Sequence, residues 1–246
     1  METRDLPSAN FDPRPAGRAV DMLLLHYTGT PSAAAALERL RDAAAKVSAH
    51  YVVDEDGTVF RLVREEHRAW HAGVASWAGA TDINARSIGI ELVNPGHEWG
   101  YRPFPEAQMA SLVGLAHAIL GRHRIPAERV LGHSDVAPSR RRDPGELFDW
   151  RRLAARGIGV VADAAPPSRA AATLAPGDSG PEIRALRAKL ASFGYGVGVG
   201  AAYDGLTETV VRAFQRHYRP AAVDGRADRA TLAALDDLLQ RRPAPR

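Results

Sequence analysis

Between Ala19 and Gly132 the hydrophobic period changes again and again, and this constrains the fold more than any other feature. "AVDMLLL" (19–25) is a short β-like run that ends at His26. "HYTGTPS" then turns the chain, and Ser32 can cap a helix through "AAAALERLRDAAAK", which is rich in strong helix formers. "HYVVDEDGTVFRLV" (50–63) reads as two β runs around Asp-Glu-Asp-Gly, a hairpin signal. "SIGIELV" (87–93) reads as a buried strand. From Pro105 to about Arg124, Met109, Leu112, Val113, Ala116, Ile119 and Leu120 recur with a helical period that Pro126 ends. "RVLG" (129–132) is a short strand that delivers His133. Strands alternating with helices predict an α/β fold with helices flanking a central sheet.

Periodicity disappears over 161–176, "VADAAPPSRAAATLAP", where Ala, Pro and Ser dominate as in a linker. "GPEIRALRAKLASFGY", "LTETVVRAFQRHYR" and "DRATLAALDDLL" then read as three amphipathic helices. Asp204-Gly205 and Asp224-Gly225 form turns before the second and third. The expected organisation is an α/β domain over 1–161, a linker over 162–174 and a small three-helix all-α domain over 175–240.

Charge and cysteine usage exclude several functions. The net charge is +3 over 246 residues. From Ala175 onward 11 basic residues face 8 acidic ones, and the rest of the chain carries 21 of each. No concentrated basic face is implied, so a nucleic-acid partner is not expected. There are no cysteines, which excludes disulfides, thiolate zinc fingers and cysteine nucleophiles. "METRDLPSANFDPRPAG" has no apolar h-region, and the run Met22–Leu25 is too short to span a membrane. The expectation is a cytoplasmic protein without a membrane span, with the periplasm or cell envelope as the alternative.

Of the nine histidines, His67, His97, His117, His123 and His217 have no partner that the sequence names, and read as solvated or structural. His26 and His133 differ, because each follows a strand-like run and can point into a cleft at a sheet edge. With Asp143 they form a possible His₂Asp set, and imidazole with carboxylate suits Zn²⁺ when a fourth position stays open. The spacing is long-range and has no His-Glu-x-x-His signature. Glu91 interrupts an apolar strand. Either alternation turns it to solvent, or it faces the same cleft as a general base. Trp70, His71 and Trp77 can line a groove or simply pack in the core.

"LLLHYTGT", "SAHYVVDEDGTV", "AWHAG", "NARSIGIELVNPG" and "GHSDVAPSRRRDPGELFDW" resemble, in order and spacing, the zinc-dependent N-acetylmuramoyl-L-alanine amidases of the type 2, peptidoglycan-recognition-protein-like family. The resemblance covers Asn10 to about Val160. "SANFDPRP" is similar to the enzymes nearest the anhydro-muropeptide amidases. "GDSGPEIRALRAKLASFGY", "YDGLTETVVRAFQRHYR" and "VDGRADRATLAAL" resemble a peptidoglycan-binding-like three-helix module.

The resemblance implies a mixed central sheet and one Zn²⁺ per chain on His26, His133 and Asp143. It implies Glu91 as the catalytic carboxylate, and a substrate that is peptidoglycan or a muropeptide. Tyr27, His50, Trp70, His71 and Asn84 are the implied substrate-binding residues, and a monomer is expected. The family pattern has lysine two residues before the aspartate ligand, where this chain has Arg141. Arginine stays charged, so Arg141 suits stabilisation of an oxyanion but not transfer of a proton. Two rival functions remain at this level: a non-catalytic peptidoglycan-binding or sensing protein, and a zinc hydrolase of other amides.

Overall fold

The computed structural model describes residues 3–163 and 172–241. Residues 164–171 of the expected linker lie outside the described residues. The strands are β1 (Thr3–Asp5), β2 (Phe11–Pro13), β3 (Met22–Tyr27), β4 (Tyr51–Val53), β5 (Val59–Arg61), β6 (His67–Ala69), β7 (Ser87–Leu92) and β8 (Val130–Gly132). The α-helices are α1 (Ala33–Arg41), α2 (Gly96–Trp99), α3 (Glu106–Arg122), α4 (His133–Val136), α5 (Trp150–Ala154), α6 (Pro181–Phe193), α7 (Gly205–Tyr218) and α8 (Arg229–Gln240).

Six strands form one sheet in the order β1-β5-β4-β7-β3-β8, while β2 and β6 form a separate antiparallel pair. The larger sheet is mixed. β4 and β5 pair antiparallel as the expected hairpin, and the other neighbours are parallel. Gly57, at φ 89, closes the hairpin turn, and its N–H donates to Asp54 O at 3.0 Å. Ser32 caps α1 by accepting from Ala35 N. The expected helix through Lys46 ends early at Arg41, because Asp42 caps a new 3₁₀ turn with its carboxylate on Ala44 N. β1, β2 and β6 carry no sequence signal, since three-residue strands are too short to show a period.

Alternation along β3 sorts its side chains onto two faces. Leu23 and Leu25 join Ile88, Ile90 and Leu92 of β7 beneath α3, in a cluster with Met109, Leu112 and Ile119. Met22 and Leu24 face the other way, into a core that also holds Trp77, Leu131 and Val136. That second core continues without a break into α6, α7 and α8 through Ile183, Leu190, Phe193, Val210, Phe214 and Leu235.

Two contacts define the junction. Trp77 is 1% exposed and packs edge-on against Phe193 and Tyr195, with ring centroids 5.9 and 4.9 Å away. Gly194 makes room for it: a Cβ there would lie 2.5 Å from the indole, and its φ of 135° favours glycine. The second contact is Asp135 in α4, which is fully buried. Its carboxylate accepts from Gly132 N at 2.8 Å, Tyr195 Oη at 2.6 Å and His217 Nδ1 at 2.7 Å. Three donors compensate the burial of that charge. The three-helix region is therefore docked on the face of the sheet that carries His26.

Candidate active site

In-register pairing of parallel strands sets the first part of the site. His26 of β3 lies opposite Glu91 of β7, and Leu24 lies opposite Gly89. Residues at the same register of neighbouring strands share a face. His26 and Glu91 therefore emerge side by side, on the face opposite α3. β8 ends beside β3 and passes at once into α4, which begins with His133. The loop after α4 returns to this point, where Ser134 N–H donates to Asp143 O at 2.9 Å.

His26 Nδ1, His133 Nδ1 and Asp143 Oδ2 form a triangle with every edge 3.0 Å. All three residues are buried. The hydrogen-bond network fixes where the imidazole protons are. The Ser87 hydroxyl donates to Ile83 O at 2.7 Å, so it accepts from His71 Nε2–H at 3.2 Å. That leaves His71 Nδ1 to accept from His26 Nε2–H at 3.1 Å. His133 Nε2 faces Ala72 O at 3.0 Å, and a carbonyl only accepts, so the proton is there. Both Nδ1 atoms consequently carry lone pairs, aimed at a carboxylate and at each other.

Three buried acceptors at this separation repel unless a cation sits among them. The edges are close to the roughly 3.3 Å expected between ligands of a tetrahedral Zn²⁺ with bonds of about 2.0–2.1 Å. The donor set thus fits a zinc ion, with the second nitrogen of each histidine held by a further partner. The electrostatics agree. Burial pushes the His26 pKa down to about 4, which keeps it neutral at physiological pH.

Glu91 lines the same cleft, and its Oε2 is a buried oxygen with no hydrogen-bond partner. Burial, then the charge of Asp143, raises its pKa well above the ordinary carboxyl value, and Arg141 opposes the shift. The alternative in which Glu91 turns to solvent is not the one observed. Arg141 is exposed on the cleft wall: its backbone N–H donates to Ala137 O at 3.0 Å, while its guanidinium makes no hydrogen bond or ion pair with a described residue. Arg140 is different: its guanidinium braces the 72–74 loop through Val74 O and Ala72 O, both at 3.0 Å.

The cleft has a volume of about 970 Å³. Tyr27, Trp70 and His71 line it, but two of the expected substrate-binding residues do not. His50 lies fully buried behind His71, with Nδ1 accepting from Gly89 N and Nε2 facing His67 O. Asn84 is also buried, and its Oδ1 accepts from the backbone N–H groups of His71 and Ala72. Both residues hold the segment that carries His71 and the Ala72 carbonyl, so they support the site from behind. Trp77 likewise packs in the core and lines no groove.

Several participants carry no sequence signal. Gly89 is one, because a Cβ there would lie 2.5 Å from the His71 ring. Trp99 stands 62% exposed on the cleft rim. His97 joins Tyr27 Oη at 2.9 Å to Glu146 at 3.2 Å. Thr209, Arg212 and Arg216 of α7 form part of the cleft wall.

Residues 16–146 match the family model described as N-acetylmuramoyl-L-alanine amidase, and residues 179–235 match that of a putative peptidoglycan binding domain. The first match alone spans more than half of the chain. The chain belongs to the N-acetylmuramoyl-L-alanine amidase family. The amidase is 37% identical to N-acetylmuramoyl-L-alanine amidase AmiD of Escherichia coli, over 90% of this chain and 83% of AmiD. It is 31% identical to 1,6-anhydro-N-acetylmuramyl-L-alanine amidase AmpD of Haemophilus influenzae, over 61% of this chain and 90% of AmpD. Among solved structures, E. coli AmiD in complex with anhydro-N-acetylmuramic acid-L-Ala-D-gamma-Glu-L-Lys superposes with a TM-score of 0.76 at 34% identity, covering 92% of both chains. AmpDh3 of Pseudomonas aeruginosa gives 0.75 at 31% identity, covering 95% of this amidase and 96% of its own chain, and has also been solved with an anhydromuramic pentapeptide. No described helix of the amidase is long and apolar enough to cross a membrane.

Proposed function

We propose that the cleft hydrolyses the amide between the lactyl group of N-acetylmuramic acid and L-alanine of the stem peptide, in muropeptides or peptidoglycan. In this reading residues 1–161 carry the chemistry and 175–240 form the docked module, in a monomeric chain. His26, His133 and Asp143 hold one zinc ion. The observation that carries the reading is the triangle of three buried acceptors with the unpartnered Glu91 carboxylate beside it. A binding or sensing protein has no need of that arrangement.

A zinc ion bound there supplies a Lewis acid that polarises the scissile carbonyl and lowers the pKa of a water molecule. Glu91 accepts a proton from the attacking water at its free Oε2. Burial raises the proton affinity of this carboxylate, which suits it to hold that proton and pass it to the departing nitrogen. The C–N bond breaks, the water oxygen stays on the lactyl carbonyl carbon as a carboxylic acid, and L-alanine leaves with a free amine. Arg141, whose guanidinium has no partner among the described residues, gives the oxyanion a fixed positive charge. Trp70, Trp99 and Tyr27 offer aromatic faces to the sugar and peptide.

Mass spectrometry of an anhydro-N-acetylmuramyl tripeptide digest tests this. Release of intact tripeptide and anhydro-N-acetylmuramic acid is expected, with about one zinc per chain in the active protein. Cleavage within the peptide, or full activity in a zinc-free His133→Ala variant, would overturn the assignment. Arg141→Ala should slow turnover by roughly a hundredfold, while Arg141→Lys keeps most of the rate. Equal rates for Ala and Lys would remove Arg141 from the mechanism.

A further inference from the structure

The cleft runs past the three-acceptor site to α7, and there its charge is unbalanced. Arg216 projects from α7 with its side chain only 13% exposed, and its Nε is buried without a hydrogen-bond partner. Its nearest carboxylate, Glu146 Oε2, is 4.0 Å away, and Glu146 already faces His97 Nε2 at 3.2 Å through both oxygens. Arg142, from the loop that carries Asp143, lines the same end of the cleft and makes no hydrogen bond or ion pair with a described residue. The charges of Arg142 and Arg212 act against Arg216, whose pKa burial already lowers. Arg212 is neutralised by Glu208 at 2.8 Å and does not add to the excess. Arg216 and Arg142 therefore both bring positive charge to the cleft where loop and module meet, and Glu146 is the nearest carboxylate to Arg216.

A mostly buried guanidinium without a close counter-ion is costly, and an arriving anion removes that cost. The planar fork of arginine matches a carboxylate with two parallel hydrogen bonds. If the substrate is a muramyl peptide, its sugar is neutral and its negative charge lies in the stem-peptide carboxylates. We propose that Arg216 and Arg142 form a carboxylate subsite for the stem peptide, so that the C-terminal module selects substrate within the cleft. This rests on the amidase reading above. It gives α7 a role that a remote polymer anchor would not have.

The test uses the full-length, zinc-loaded chain and three probes: anhydro-N-acetylmuramyl-L-Ala-γ-D-Glu-L-Lys with free carboxylates, the same compound amidated at the glutamate α-carboxyl, and the same compound amidated at the C-terminus. Wild type should prefer the free acid over one of the amides by about tenfold or more in kcat/KM, and the disfavoured amide identifies the carboxylate that is bound. Arg216→Gln should reduce that preference to about twofold or less, mainly through KM for the acid. Arg142→Gln should reduce it less, and Arg216→Lys should restore part of it. Equal cleavage of all three probes by wild type would refute the subsite while leaving the amidase reading intact. So would an unchanged preference in a folded Arg216→Gln protein. Cleavage of no probe would instead overturn the amidase reading, and the subsite with it.

Discussion

Glu91 shows how much one position can hold. A carboxylate in the middle of "SIGIELV" is tolerated because the strand beside it presents His26 at the same register, and because the shared face opens into a cleft. Its Oε2 has no partner to lose, so Glu91→Gln should leave the fold and the zinc content unchanged. The same change removes the proton acceptor. We expect kcat to fall by about 10²–10⁴ with little change in KM; a rate within a few-fold of wild type would show that another group takes the proton. Gly89 acts on the site indirectly. An added methyl would meet the His71 ring at 2.5 Å, and His71 fixes the proton of His26 on Nε2. Gly89→Ala should therefore weaken zinc binding by about 10- to 100-fold, as loss of an outer-shell partner does. Competition with a chelator reads this directly, and an unchanged zinc affinity would mean that the ring can move without loss.

At the level of elements, the strand-helix alternation was legible because each long segment keeps a single period, and the chemistry was legible because His26 and His133 end such segments. Register was not legible. Nothing in one strand says which residue of another lies beside it, so from the residues alone the functional and solvent-facing readings of Glu91 stand level, and only the family resemblance favours the first. His50 and Asn84 were misassigned to the groove for a related reason: position along the chain does not tell a residue at a wall from one just behind it. Glu65 gives another long-range tie. Its carboxylate accepts from Tyr51 of β4 at 2.7 Å, and from Arg122 and His123 at the end of α3 at 2.6 and 2.7 Å. Burial acts to raise its pKa, but these three donors outweigh burial and hold it at about 2, against an ordinary value of 4.5. The folded state thus binds fewer protons than the unfolded state between those values. Stability from this group is fully present above about pH 5 and is lost as pH falls toward 2, at most about 3 kcal/mol in all. Glu65→Gln should lower the melting temperature at pH 7 and flatten its decline between pH 5 and pH 2. Parallel melting curves for variant and wild type across that range would count against the tie.

For the whole molecule, the question is whether the C-terminal helices are cargo or structure. The sequence reads as two parts because an Ala/Pro-rich stretch interrupts every period, and because Trp77 and Phe193, although in contact, are more than a hundred residues apart along the chain. In space the core that begins at Met22 and Leu24 runs on into α6 and α7, and Asp135, two residues from His133, takes two of its three hydrogen bonds from Tyr195 and His217. Ending the chain after residue 163 would bare Trp77 and Val136, at about 1.5–3 kcal/mol for each large apolar side chain re-exposed. Against a typical total of roughly 5–15 kcal/mol, a loss of several such contacts is a large fraction. The shortened chain should melt at least about 5 °C lower than the intact one, bind a hydrophobic dye, and hold zinc less tightly, because the turn that carries His133 has lost its anchor. The double substitution Tyr195→Phe and His217→Ala separates the two causes. It breaks the hydrogen bonds to Asp135 but leaves Trp77 covered, so it should weaken zinc binding without dye uptake. If the truncated chain instead melts with the full one and binds zinc equally well, the shared core contributes nothing to the site, and the module is a passenger on it.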